Sequence, residues 1–167
     1  MYQVGDYVVY GMEGVCRVIE IGHPRLSGIP KDRLYYTLAP YAHAGAVYIP
    51  VDTELFLRDP LSREEIEGYL SELPSLPLCD DLPSDVRLVA AYYLEILNSH
   101  DFRRILRMCK TIYCKQRALS GTRKSLSVAD MRYWKQGEEL LASEIGYVLG
   151  QEPQQIIKML RQSMEPS

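Results

Sequence analysis

The sequence predicts an α+β protein in which a small antiparallel β-barrel is followed by an all-α helical domain. Three observations carry that expectation. Up to residue 60 the chain consists of short Val-, Ile- and Tyr-rich runs separated by Gly- and Pro-bearing turns. From residue 62 the apolar period changes to three and four. Helix-capping signatures appear only after that change.

The runs "DYVVYG", "GVCRVIEIG", "RLYYTLAP" and "GAVYIPV" predict four or five strands, joined through "GMEG", "HPRLSGIPKD" and "YAHAG". Alternation within "GVCRVIEIG" is imperfect, which predicts a bulge or a strand covered on both faces. Ser62 and Glu65 form a capping box that opens a short helix ending near Leu73. Residues 61–83 then read as this helix and a Pro-rich linker, since residues 73–83 hold three prolines. Ser84 is the expected cap of a helix running to about Leu97, with a turn over Asn98 to Asp101 and a third helix to about Leu119. Ser127 and Asp130 form a second capping box, Gly150 stops that helix, and Pro153 suits the first turn of the last. The expected domains are therefore 1–60 and 84–167.

Charge is distributed unevenly. The window 101–135 holds ten Lys or Arg and two acids, a local excess of +8, while the other 132 residues sum to −11. An island of this kind is the footprint of a phosphate-backbone contact or of an acidic protein surface. On the third helix Phe102, Ile105, Leu106, Cys109, Ile112 and Tyr113 form an apolar stripe, and Arg103, Arg107, Lys110 and Arg117 recur on another face. The basic loop "SGTRKS" follows, with Arg123 and Lys124.

Other function classes find little support. No apolar run reaches the roughly 20 residues of a membrane span, and the start of the chain carries no secretory pattern, so a cytoplasmic protein without membrane contact is expected. The four cysteines show no CxxC pairing, and Cys109 and Cys114 would point about 140° apart on a helix, which argues against zinc and structural disulfides. His23, His43 and His100 lack partners in any nucleophile or metal motif, Glu138 and Glu139 fit a solvated helix face, and "GMEGVC" leads into a strand instead of a helix. Trp134 is spaced with Met131, Leu141 and Ile145 as a core residue. No enzyme and no cofactor are expected.

The two halves together resemble a known family. "VGDYVVYGMEGVCRVIEI", "YYTLAPYAHAGAVYIPVD" and "LFLR" look like the RNA-polymerase-interacting module of the CarD family of bacterial transcription regulators, shared with transcription-repair coupling factors. Residues 92–149 resemble that family's helical domain. The resemblance implies a Tudor-like N-terminal barrel that adds a strand edge to the RNA polymerase β subunit. That edge maps onto Ala46, Val47, Tyr48, Ile49 and Pro50, with Arg25 near a second contact. It also implies that the helical domain meets the promoter DNA backbone and minor groove at the upstream edge of the −10 element, modulating open-complex stability. Lys110 and Lys115 match basic family positions. With Arg87, Arg103, Arg107, Arg117, Arg123 and Lys124 they make up the expected DNA-facing cations of a monomeric regulator.

One departure marks the chain as a divergent member. Where the family places a Trp wedge this sequence reads "CDDLPSDVRLV", and Leu82 is the nearest apolar equivalent. The alternative reading is a polymerase-binding adaptor whose basic surface meets another protein or RNA.

Overall fold

The computed structural model describes residues 1–54 and 56–165, so Leu55 of the "LFLR" motif lies outside the described residues. The chain divides into two compact units, Met1–Pro60 and Leu61–Ser167.

The first unit is a curled antiparallel half-barrel of β1 (Tyr7–Tyr10), β2 (Gly14–Gly22), β3 (Tyr35–Pro40), β4 (Val47–Pro50) and β5 (Leu57–Arg58), in the order β4-β3-β2-β1-β5. The link from β1 to β2 is a single 3-10 turn over Gly11–Glu13, flanked by positive φ at Gly11 and Gly14, conformations that favour glycine. The irregular alternation in β2 is a bulge: Val18 pairs with Leu38 and Glu20 with Thr37, which leaves Ile19 unpaired and exposed. Val8, Cys16, Val18, Tyr36, Leu38 and Ile49 form the core. Burial pushes the Cys16 thiol up to about 12, so it behaves as a small apolar filler.

The second unit contains α1 (Arg63–Glu72), α2 (Val86–Asn98), α3 (Phe102–Leu119), α4 (Val128–Leu149) and α5 (Pro153–Ser163). Both expected capping boxes are present, Ser62 with Glu65 and Ser127 with Asp130. Gly150 closes α4 in the left-handed conformation. The cap of α2 differs from expectation: Asp85, not Ser84, accepts the Arg87 N–H at 2.9 Å. A carboxylate gains more than a hydroxyl at a helix N-terminus, and the helix starts one residue later as a result.

All six residues of the predicted α3 stripe are buried, and α4 lies against them. The approach is close at Gly137, where an added Cβ would stand 2.7 Å from the Cys109 sulfur and 2.9 Å from Met108 Cε. Trp134 is in the core as expected, whereas Met131 at the start of α4 is 51% exposed.

The Pro-rich stretch is not a free linker. Leu73 and Leu76 are buried in the helical core, and the chain from Glu72 to Cys79 lies along α3 as a strap. Burying two leucines contributes about 3–6 kcal/mol, too much for a segment that floats between domains. No helix among the described residues is long and apolar enough to cross a membrane.

Candidate functional site

The half-barrel does not close among the described residues, so β4 pairs with β3 on one side only. In an antiparallel strand alternate residues direct their N–H and C=O groups away from the neighbour, and β4 therefore offers backbone groups to an incoming strand. Ile49 is buried in the core and holds β4 in place, while Tyr48 is exposed and Val47 half-buried. Ala46 is exposed just before the strand and Pro50 ends it. Arg25 is exposed in the β2–β3 loop, where it lines a hollow with His23, Ser27 and Lys31. Ala46 to Pro50 thus form one open edge, whereas Arg25 lies in a separate loop of the same unit.

The basic island of the helical unit is split by the structure into cations already occupied and cations left free. Lys110 is only 7% exposed, and its ammonium donates to the carbonyls of Leu73, Pro74 and Leu76 at 2.8, 2.9 and 2.8 Å. Arg107 donates to the carbonyls of Pro77 and Leu78 at 3.0 and 2.8 Å. Arg103 places two nitrogens on Glu72 Oε1, and Thr111 Oγ1 accepts the Cys79 N–H at 2.9 Å. These four α3 residues hold the strap by its main chain and by one carboxylate. The ammonium of Lys110 has all three donors used and no route to a phosphate.

Lys115 also has an internal partner. Its ammonium lies 2.8 Å from Asp130, whose side chain is fully buried and which also accepts from Tyr93 Oη at 2.7 Å and from the Ser127 N–H. Burial alone would raise the Asp130 carboxyl; the hydrogen bonds from Lys115, Tyr93 and Ser127 outweigh it and hold the carboxyl below the usual range. Arg117 pairs with Glu165, which also accepts from Tyr113 Oη. Arg87 pairs with its cap residue Asp85 on the surface. Leu82 is half-buried and packs on the helical core.

What remains is concentrated around the α3–α4 turn. Arg123 and Lys124 are exposed and make no side-chain hydrogen bond or ion pair among the described residues. Arg132 is exposed and rests over the Tyr133 ring at 5.4 Å. Met131 lines one hollow with Lys124, and Val128, the first residue of α4, is 77% exposed. Arg104 on α3 is likewise exposed and unpaired in the same sense.

Sequence reasoning missed the partners more than the cations. Glu138 is buried and forms a two-point pair with Arg161 at 2.8 and 2.7 Å, with the guanidinium 4.5 Å from the centre of the Trp134 ring, instead of lying on a solvated face. Leu73 and Leu76, two apolar residues three apart among prolines, were the available signal that the supposed linker is packed.

A small half-barrel whose edge strands among the described residues, β4 and β5, each pair on one side only belongs to the class of modules suited to partner docking by strand addition. Residues 2–58 match the family model for the CarD-like/TRCF RID domain, the RNA-polymerase-interacting domain of that family. The match supports RNA polymerase interaction and a transcription-related role, and domains of this family are non-enzymatic. No curated protein matches the chain.

Proposed function

We propose that the protein is a non-enzymatic, cytoplasmic transcription regulator that docks on the RNA polymerase β subunit through β4 and contacts promoter DNA with its helical unit, modulating open-complex stability. The open edge of β4, within the residues that match the polymerase-interacting family, is the observation that carries the reading. Val47, Tyr48 and the backbone from Ala46 to Pro50 make the contact, and Arg25 supports it. Ile49 acts indirectly, by keeping the strand in the core. DNA contact rests on the exposed cations, with Arg123 and Lys124 foremost and Arg87 and Arg117, each already paired with a carboxylate, in support; Arg103, Arg107 and Lys110 serve the strap.

The distinguishing experiment is capture of a polymerase β fragment by the full chain. Val47→Asp puts a charge, and Tyr48→Pro removes an N–H, where two strands must meet. Each variant is expected to lose capture while keeping the helical circular-dichroism signal; Val47 packs on the half-barrel core, so Tyr48→Pro, at an exposed residue, is the variant expected to stay nearer the wild-type thermal transition. Retained capture by both folded variants would remove β4 as the docking edge. With Leu82 half-buried against the helical core and no aromatic in its place, open complexes are expected to be stabilised weakly, and Leu82→Ala to lower protein stability without altering open-complex lifetime.

A further inference from the structure

The turn between α3 and α4 borders an open surface hollow of about 510 Å³ whose lining includes Arg117, Ser120, Thr122, Lys124, Ser125 and Met131, and no acid. The turn has a defined backbone. Thr122 Oγ1 donates to the Leu119 carbonyl at 2.6 Å and accepts the Lys124 N–H at 3.2 Å, the Thr122 N–H reaches the same Leu119 carbonyl at 3.0 Å, and Gly121 supplies the positive φ. Its wall is anchored by Leu126, which is buried in the helical core. The Lys124 ammonium and the Ser120 and Ser125 hydroxyls line the hollow without a side-chain partner among the described residues. Arg117 uses one nitrogen on Glu165 at 3.1 Å and keeps further donors.

Two cations and two uncommitted hydroxyls around one space form a donor set for a tetrahedral oxyanion, whose oxygens accept and do not donate. A hydrated free ion would leave Met131, an exposed apolar residue of the lining, in water. A polymer of phosphates joined by sugars would cover it while its charge meets Lys124, Arg117 and, next to Lys124 and Met131 in the chain, Arg123 and Arg132. We propose that this hollow is a seat for a backbone phosphodiester of nucleic acid, and that Lys124, Arg117, Ser120 and Ser125 bind it. The proposal rests on the reading that the helical unit contacts DNA, and it locates that contact at the turn instead of on the α3 face.

The test uses the full chain and a fluorescent DNA duplex, with affinity followed by anisotropy from low to moderate salt. Lys124→Gln and Arg117→Gln are each expected to make the log-log salt slope shallower by about 0.9. Ser120→Ala with Ser125→Ala is expected to weaken binding roughly three- to tenfold at fixed salt with the slope unchanged. Arg63→Gln on α1 serves as the control and is expected to change neither. If the wild type binds the duplex while all the seat variants retain its affinity and slope, the seat is wrong and the DNA reading stands. Absence of duplex binding by the wild type at low salt overturns the DNA reading and the seat together. A competition arm compares inorganic phosphate with chloride at equal ionic strength. Phosphate that binds the wild type and not Lys124→Gln, with duplex binding equal in both, would make the seat one for a free anion and overturn the phosphodiester assignment.

Discussion

Arg103, Arg107 and Lys110 of α3 and the cations of the α3–α4 turn belong to one positive island in the sequence, and the fold gives them opposite tasks. On α3, Arg103, Arg107 and Lys110 are spent on the carbonyls and carboxylate of the strap that crosses them. At the turn, Arg123 and Lys124 have no internal acceptor among the described residues. Local charge density is therefore a poor guide to a binding surface until the acceptors are counted. A buried ammonium with three carbonyls is a structural fastening, and an exposed ammonium with none is available to a partner.

The largest expected effect tests the fastening. Lys110→Met leaves three strap carbonyls without a donor and is expected to lower unfolding free energy by about 2–4 kcal/mol. A folded Lys110→Met protein at low temperature should keep the wild-type salt slope for DNA. A stable variant with a shallower slope would reverse the division between the two regions.

Gly137→Ala sharpens the same contrast from the opposite side of α3. The new methyl meets the Cys109 sulfur and Met108 Cε at less than contact distance, so those side chains or the two helices must shift, at a cost of about 1–3 kcal/mol. Thermal denaturation should register the loss, and the free turn, which does not depend on that approach, should retain its DNA affinity per folded molecule.

A pH titration addresses Lys115, which sits at the border of the two regions. The Asp130 carboxyl is held below its unfolded value, so its contribution to stability is complete above about pH 4 and fades as pH falls through the depressed folded value. Asp130→Asn should lower stability at neutral pH and flatten the acid limb of the stability curve. An acid limb identical to the wild type would show that Lys115 is free for other partners.

The smallest stability change is expected at the turn itself. Joint replacement of Arg123, Lys124 and Arg132 by Gln should alter stability by no more than about 0.5 kcal/mol, yet make the DNA salt slope shallower by roughly 2–3. Differential scanning fluorimetry beside the anisotropy titration reads both quantities on one sample.

Much of the architecture was legible because it is written locally. Ser62 with Glu65, Ser127 with Asp130, Gly150 and the α3 apolar stripe each fix an element through residues at most a few turns apart. The open position of β4 was legible only through the family resemblance, since strand order is a long-range property. The fate of Lys110 was not legible, because periodicity gives the direction in which a side chain leaves its helix and says nothing of what covers it. Its acceptors lie 34 to 37 residues earlier in the chain, in a stretch whose prolines suggest a linker. Glu138 escaped for the same reason: it adjoins Glu139 in sequence, but the turn of the helix points it at Arg161 on α5.

The open side of β4 carries a further consequence for the protein as a substance in solution. A strand that any complementary strand can read is also a template for a second copy, so unoccupied protein faces edge-to-edge association as its concentration rises. Four residues is a short template, and Pro50 contributes no N–H at its end, which limits how far such pairing can propagate. Under the proposed docking, the same few residues bear on solubility and on partner recognition: lengthening β4 to strengthen docking would make the free protein more prone to precipitate.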